Sequence, residues 1–130
     1  SKYADNAGKR LINKVNNDIP TLEVKRSDMP NIASNIDDAI SKGAPSQLSR
    51  VTSRSQIRQN RRAALRGQTS AGSGKSLDEY PFASTDQGGD GAFVRSVPAK
   101  EQSIQGGKMS QFYKKNNLKN GDSFNVKVVD

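Results

Sequence analysis

Cysteine, histidine and tryptophan are all absent from this 130-residue sequence. Without cysteine there can be no disulfide, thiolate metal site or cysteine nucleophile. Without histidine, Ser-His-Asp triads, imidazole metal sites and histidine general bases are excluded. Any acid–base or metal chemistry therefore falls to carboxylates. Aromatic residues make up 5% of the chain and apolar residues 32%, so a modest core with long irregular stretches is expected. No apolar run approaches the roughly 20 residues of a membrane span, and membrane insertion by this segment is not expected. The chain opens Ser1-Lys2-Tyr3 without an initiator methionine, which suits a piece cut from a longer parent.

Positive charge is plentiful. Twenty-one Lys and Arg against 13 Asp and Glu leave a net charge of +8, a field that attracts polyanions, nucleic acid foremost. An acidic protein partner would be drawn by the same field. Between positions 50 and 66 lie Arg50, Arg54, Arg58, Arg61, Arg62 and Arg66 with no acid among them. At 3.6 residues per turn, Arg54, Arg58, Arg61 and Arg62 share one side of a helix, and Ile57, Ala64 and Leu65 can form an inward stripe. The ridge suits phosphate binding, although charged helix faces are commonly just solvated.

The length suits one domain. Its first 30 residues read as an extension or linker from a parent chain, containing an amphipathic stretch from Lys9 to Val15 and a strand-like alternation from Thr21 to Lys25. The domain proper is expected over 31–130. Ile32, Ile36, Ala39 and Ile40 predict a core helix from Asn31 to Lys42, stopped by Gly43-Ala44-Pro45. After the arginine helix, residues 67–76 form a Gly/Ser-rich connector. Its Gly72-Ser73-Gly74-Lys75-Ser76 imitates a phosphate loop, but Thr69 stands where the first glycine should be and no helix follows. Strands are expected over Leu77–Ala83 and Ala92–Val97, joined as a hairpin by a Gly-rich turn at 85–91. A helix over Lys100–Lys115, at least from Gly107, and a closing strand over Ser123–Val129 complete the reading.

The segment Leu77-Asp78-Glu79-Tyr80-Pro81 begins an acidic island. Between Leu77 and Gly91 stand Asp78, Glu79, Asp86 and Asp90 and no basic residue. Oxygen ligands can hold a hard divalent ion, and flanking arginines can grip phosphates beside it. Neighbours on a regular strand face opposite ways, so Asp78 and Glu79 should not share a pocket unless the strand is distorted. A solvated strand end with turn-forming acids is the plain alternative.

The order of Asn35-Ile36-Asp37-Asp38-Ala39-Ile40, Gly43-Ala44-Pro45, Arg58-Gln59-Asn60-Arg61-Arg62, Asp78-Glu79-Tyr80-Pro81, Gly88-Gly89 and Val94-Arg95-Ser96-Val97 resembles the NucA/NucB deoxyribonucleases, from about Pro30 to Val129. The resemblance implies a small α+β, ββα-metal-type nuclease, in which a hairpin, a following helix and additional short helices hold one divalent metal, Mg or Mn. It implies a monomeric, largely sequence-nonspecific DNA endonuclease using aspartate where related nucleases use histidine. On that basis Asp78 is the expected water-activating base. Glu101 is the expected metal ligand, Glu79, Gln102 and Gln105 are further candidates for the metal shell, and Arg62 and Arg95 are expected at phosphate. Arg95 could instead pair with Asp86 or Asp90 across the turn, and Glu101 and Gln102 could be ordinary helix-start residues. Gln87 departs from the glutamate that secreted members often carry before the glycine pair. With no signal segment or cysteines, the resemblance points to the version found as the C-terminal toxin of larger bacterial proteins. That version is secreted or delivered into a target cell and matched by a cognate immunity protein. A noncatalytic nucleic-acid-binding module and a ribonuclease on the same fold are the alternatives.

Overall fold

A computed structural model describes residues 19–130, so the stretch from Lys9 to Val15 lies outside the described residues. The elements run β1 (Thr21–Lys25), α1 (Pro30–Ser41), β2 (Gln47–Ser49), α2 (Arg54–Leu65), β3 (Lys75–Tyr80), β4 (Phe93–Pro98), α3 (Ala99–Lys115) and β5 (Ser123–Val129). They form two small sheets. One has the order β1-β5-β2, with β1 parallel and β2 antiparallel to β5, and the other is the antiparallel pair β3-β4. The α+β class expected from the sequence is the class observed.

β1 was expected within a leading extension. Instead Thr21–Lys25 pairs along β5 from Thr21↔Asn125 to Lys25↔Val129, and its alternation puts Leu22 and Val24 into the core. β5 follows the same logic, burying Phe124 and Val126 while Val128 packs at the margin. β2 was not expected, being only three residues long with Leu48 as its one buried side chain.

Helix α1 bridges the two sheets. Ile32, Ile36 and Ala39 are fully buried, at the spacing that places them on one face. Pro30 takes the first turn, where its missing N–H costs nothing, but Met29 offers no side-chain cap. The cap comes from far along the chain. Glu101 Oε1 accepts from the backbone N–H groups of Asn31 (2.9 Å) and Ile32 (3.0 Å), and Oε2 accepts from Asn31 Nδ2 (2.7 Å). A carboxylate there also favours the positive end of the helix dipole.

Helix α2 lies against the β3-β4 pair alone. It begins at Arg54, not Arg50, because Ser53 caps it by accepting from the Gln56 N–H. Arg50 is left outside the helix: it donates to the Leu118 carbonyl, and its guanidinium stacks 4.4 Å from the Tyr113 ring centre.

β3 begins at Lys75 and stops at Tyr80, short of the expected Ala83, because Pro81 has no N–H for the ladder. The connection to β4 is not a tight turn. Asn60 of α2 donates to the carbonyls of Ala83 and Thr85, Asp86 N–H reaches Ser49 O (2.9 Å), and Arg50 bridges to Thr85. Gly88 is required there, since a β-carbon would stand 2.2 Å from the Phe82 carbonyl oxygen. Gln87 serves the same loop, accepting from the Ser49 N–H at 2.9 Å.

Helix α3 runs from Ala99 directly after β4 and keeps going through Gly106 and Gly107. Each glycine in a helix interior costs roughly 1 kcal/mol relative to alanine. Glu101, Gln105 and Tyr113 form its buried side, and Tyr113, Phe112 and Phe124 meet edge to face or tilted at the base of the core.

Candidate active site

β3 breaks the alternation rule at its end: Asp78, Glu79 and Tyr80 are buried in succession. The two carboxylates still face opposite ways in their partners. Asp78 turns to α1, where it accepts from Asn35 Nδ2 at 3.1 Å, and Glu79 turns to α2, where Arg61 Nη1 lies 3.3 Å from both of its oxygens. Both nonetheless line one cavity of about 380 Å³, together with Arg61, Ser76, Gln102 and Gln105. The expected separation of the pair holds for their hydrogen bonds and fails for the space they share, because helices cover both faces of β3 close to its end.

Burial pushes the Asp78 carboxyl up to about 7; the Asn35 hydrogen bond opposes the rise, the negative charges of Glu79 and Glu101 add to it, and Arg61 opposes it. Asn35 is itself held, because the same Nδ2 donates to the Phe93 carbonyl at 3.1 Å. Burial also raises Glu79, against the pull of Arg61 and of a backbone hydrogen bond. A carboxyl whose proton balance sits near neutrality, in a cavity, has the properties of a general base.

The remaining expected residues divide into two groups. Gln102 and Gln105 reach the cavity from α3. Gln102 Nε2 donates to the Leu77 carbonyl at 2.7 Å, which fixes its amide, while Gln105 is buried with its Nε2 unpartnered. Glu101, expected as the metal ligand, is turned away onto the N-terminus of α1, where three donors already occupy its two oxygens. Arg95 stands opposite Asp78 in the β3-β4 register but pairs with Asp38 of α1, not with Asp86 or Asp90. That pairing holds the Asp38 carboxyl below its ordinary range. Arg54, Arg58 and Arg62 are exposed along α2 as a ridge beside the cavity, and Arg61 is the member that turns into it.

Asn35 and Asn60 were not singled out by the sequence as working residues. Each left a signal: a polar side chain inside an otherwise inward stripe, Asn35 between Ile32 and Ile36, Asn60 between Ile57 and Ala64. The cavity presents carboxylate and amide oxygens, a donor set that suits a hard divalent cation keeping several waters. Among the described residues no group of three or more Asp, Glu, His or Cys gathers into a ready-made metal cluster. The Gly72–Ser76 segment is an exposed connector whose Lys75 opens a strand, so no phosphate loop forms there.

Residues 35–127 match the model of a protein family described as Deoxyribonuclease NucA/NucB. No curated protein matches the chain.

Proposed function

As a chain that belongs to the deoxyribonuclease NucA/NucB family, this protein is a deoxyribonuclease, and we propose that it hydrolyses DNA phosphodiesters at the cavity of Asp78 and Glu79, with little sequence preference. The observation that carries the reading is Asp78: a buried carboxylate at a cavity wall, raised to about 7 and oriented by Asn35. Its free oxygen takes the proton from an attacking water, a task for which a base near neutrality is well matched. Arg61, half-exposed at the mouth and anchored on Glu79, presents the rest of its guanidinium fork to the phosphate and to the charge that develops on it. Arg54, Arg58 and Arg62 hold neighbouring phosphates without reading bases, which fits cleavage indifferent to sequence.

A divalent ion, Mg or Mn, would polarise the phosphodiester and stabilise the leaving oxygen when bound. Its place would be beside the Glu79 carboxylate and the amide oxygens of Gln102 and Gln105, which leaves Asp78 free as the base. Gln102 is suited to this because its nitrogen is already committed to Leu77, leaving the oxygen to turn inward. Glu101 supports the site from behind by fixing α1, and with it Asn35.

In biological setting we read the chain as a monomeric antibacterial toxin domain, secreted or delivered into a target cell, that meets DNA in its cytoplasm and is restrained at home by a cognate immunity protein. The family membership supports action on DNA, and the basic charge supports binding it. No helix among the described residues is long and apolar enough to cross a membrane. The test is digestion of plasmid DNA and of total RNA with Mg²⁺ or Mn²⁺, with and without EDTA. DNA cleaved and RNA spared, both intact with EDTA, is the expected outcome. Salt-sensitive DNA binding without cleavage would make the protein a binding module, and preferential loss of RNA would make it a ribonuclease.

A further inference from the structure

The carboxylate cavity does not end at Met109. A second cavity of about 550 Å³ shares Ser84, Gly106 and Met109 with it and continues to Arg50, Tyr113 and Lys114. Three features there leave bonding capacity unused inside the protein, although Arg50 already donates to Leu118 and stacks on Tyr113. Arg50 Nε is buried without a hydrogen-bond partner, and among the described residues no carboxylate lies within ion-pair distance of Arg50. Lys114 is likewise exposed and unpaired among the described residues, and beneath it Tyr113 and Ser84 hold each other's hydroxyls at 2.8 Å. Gly106 lines both cavities and Gly107 follows it; both are exposed in mid-helix, where a β-carbon would meet no neighbouring atom within 4 Å. Two glycines that weaken a helix, with nothing packed on them, leave a bare strip on its surface. Gln105, buried with its amide nitrogen unpartnered, lines the carboxylate cavity, and Arg50 lines the second one.

We propose that this second cavity is a phosphate subsite for the nucleotide next to the cleaved bond, with the DNA backbone crossing α3 over Gly106 and Gly107. The inference rests on the carboxylate cavity being where cleavage occurs. A guanidinium and an ammonium with no carboxylate to satisfy them suit a phosphate group, and the Ser84–Tyr113 hydroxyl pair leaves one O–H free to donate beside them. The absence of side chains at the crossing allows the sugar-phosphate chain to lie close to the helix, as glycine does wherever another backbone must approach. The site takes a nucleic-acid phosphodiester regardless of base, since its charged and hydroxyl groups, Arg50, Lys114, Ser84 and Tyr113, address phosphate or sugar.

The experiment uses the full chain with Mg²⁺ or Mn²⁺ and two substrates: a duplex oligonucleotide, and bis(p-nitrophenyl) phosphate, a diester with no neighbouring phosphate. Lys114→Glu is expected to lower kcat/KM on the oligonucleotide by about tenfold more than on the small diester, and Lys114→Gln to reduce the salt slope of oligonucleotide binding by about 0.9, the loss of one phosphate contact. Gly106→Leu is expected to raise Tm and yet raise KM for the oligonucleotide, opposite signs that a merely structural glycine would not give. Equal losses on both substrates, or Lys114 variants that cleave and bind the oligonucleotide as the parent does, overturn the subsite while leaving the hydrolase intact. A parent chain inert on both substrates overturns the cleavage reading and the subsite with it.

Discussion

The two sheets treat charge in opposite ways. In β1, Thr21, Glu23 and Lys25 face outward while Leu22 and Val24 go to the core, and the strand obeys a period of two from end to end. In β3 the same period collapses, and Asp78, Glu79 and Tyr80 are all buried. β1 is covered on one face only, so solvent takes its polar residues. β3 has α1 on the Asp78 side, α2 on the Glu79 side and α3 packed against it as well, so polar side chains have nowhere to go except to partners. The partners are few: an amide from Asn35 for Asp78 and a half-exposed arginine from α2 for Glu79. A buried carboxylate with so little compensation destabilises the fold, and its presence in a domain with a modest core fits the catalytic role proposed for it.

That contrast can be attacked through the groups that support it. The largest destabilisation is expected from Glu101→Ala, which strips the cap from α1 and leaves its first N–H groups unpaired; a loss of roughly 1–3 kcal/mol in urea unfolding is expected. The loss should be the same with EDTA as with Mg²⁺. A destabilisation that appears only when the metal is present would return Glu101 to the metal shell. Asn35→Ala comes next. Its hydrogen bond opposes the rise at Asp78, so removing it raises the Asp78 carboxyl further. The acid limb of the pH–rate profile then moves to higher pH, cleavage at pH 7 falls severalfold and part of the loss is regained at pH 9; a uniform loss at every pH would mean that Asn35 acts by packing alone. The smallest effect is expected from Arg95→Ala. Its partner Asp38 is exposed, as surface pairs usually are, so stability should change by less than about 1 kcal/mol and plasmid cleavage by less than about threefold. A hundredfold loss of cleavage would place Arg95 at the phosphate after all.

Much of the frame was legible from residue order. The α1 stripe, the closing strand, the arginine helix and the hairpin strands follow from local periodicity and breakers, and Asp78 and Glu79 stood out as adjacent carboxylates opening an acidic island in a basic, histidine-free chain. What local pattern cannot encode is pairing at long range. Glu101 and the N-terminus of α1 are 69 to 70 positions apart, and Asn35 and Asp78 are 43 apart. Helix-start preference and metal ligation both ask for a carboxylate at Glu101, so residue type alone does not separate them. β1 was set outside the domain because five residues carry too little pattern to announce a parallel partner at the other end of the chain. Arg50 and Arg61 read like their neighbours in the ridge, and only packing sends one to Tyr113 and the other to Glu79.

The central claim is that Asp78 is kept at the expense of stability because it takes the proton from water. With its carboxyl at about 7 in the folded chain and 3.8 as its ordinary value, the folded state binds more protons between those limits, so this group's contribution to stability is full below pH 4 and is lost as pH rises towards 7, by up to about 4 kcal/mol. Asp78→Asn removes both the charge and the base. Measured side by side at pH 8, urea unfolding in EDTA and plasmid cleavage with Mg²⁺ should move in opposite directions: the variant gains stability and loses cleavage by about a hundredfold or more. A variant that is more stable and still cleaves at near the parental rate would contradict the account.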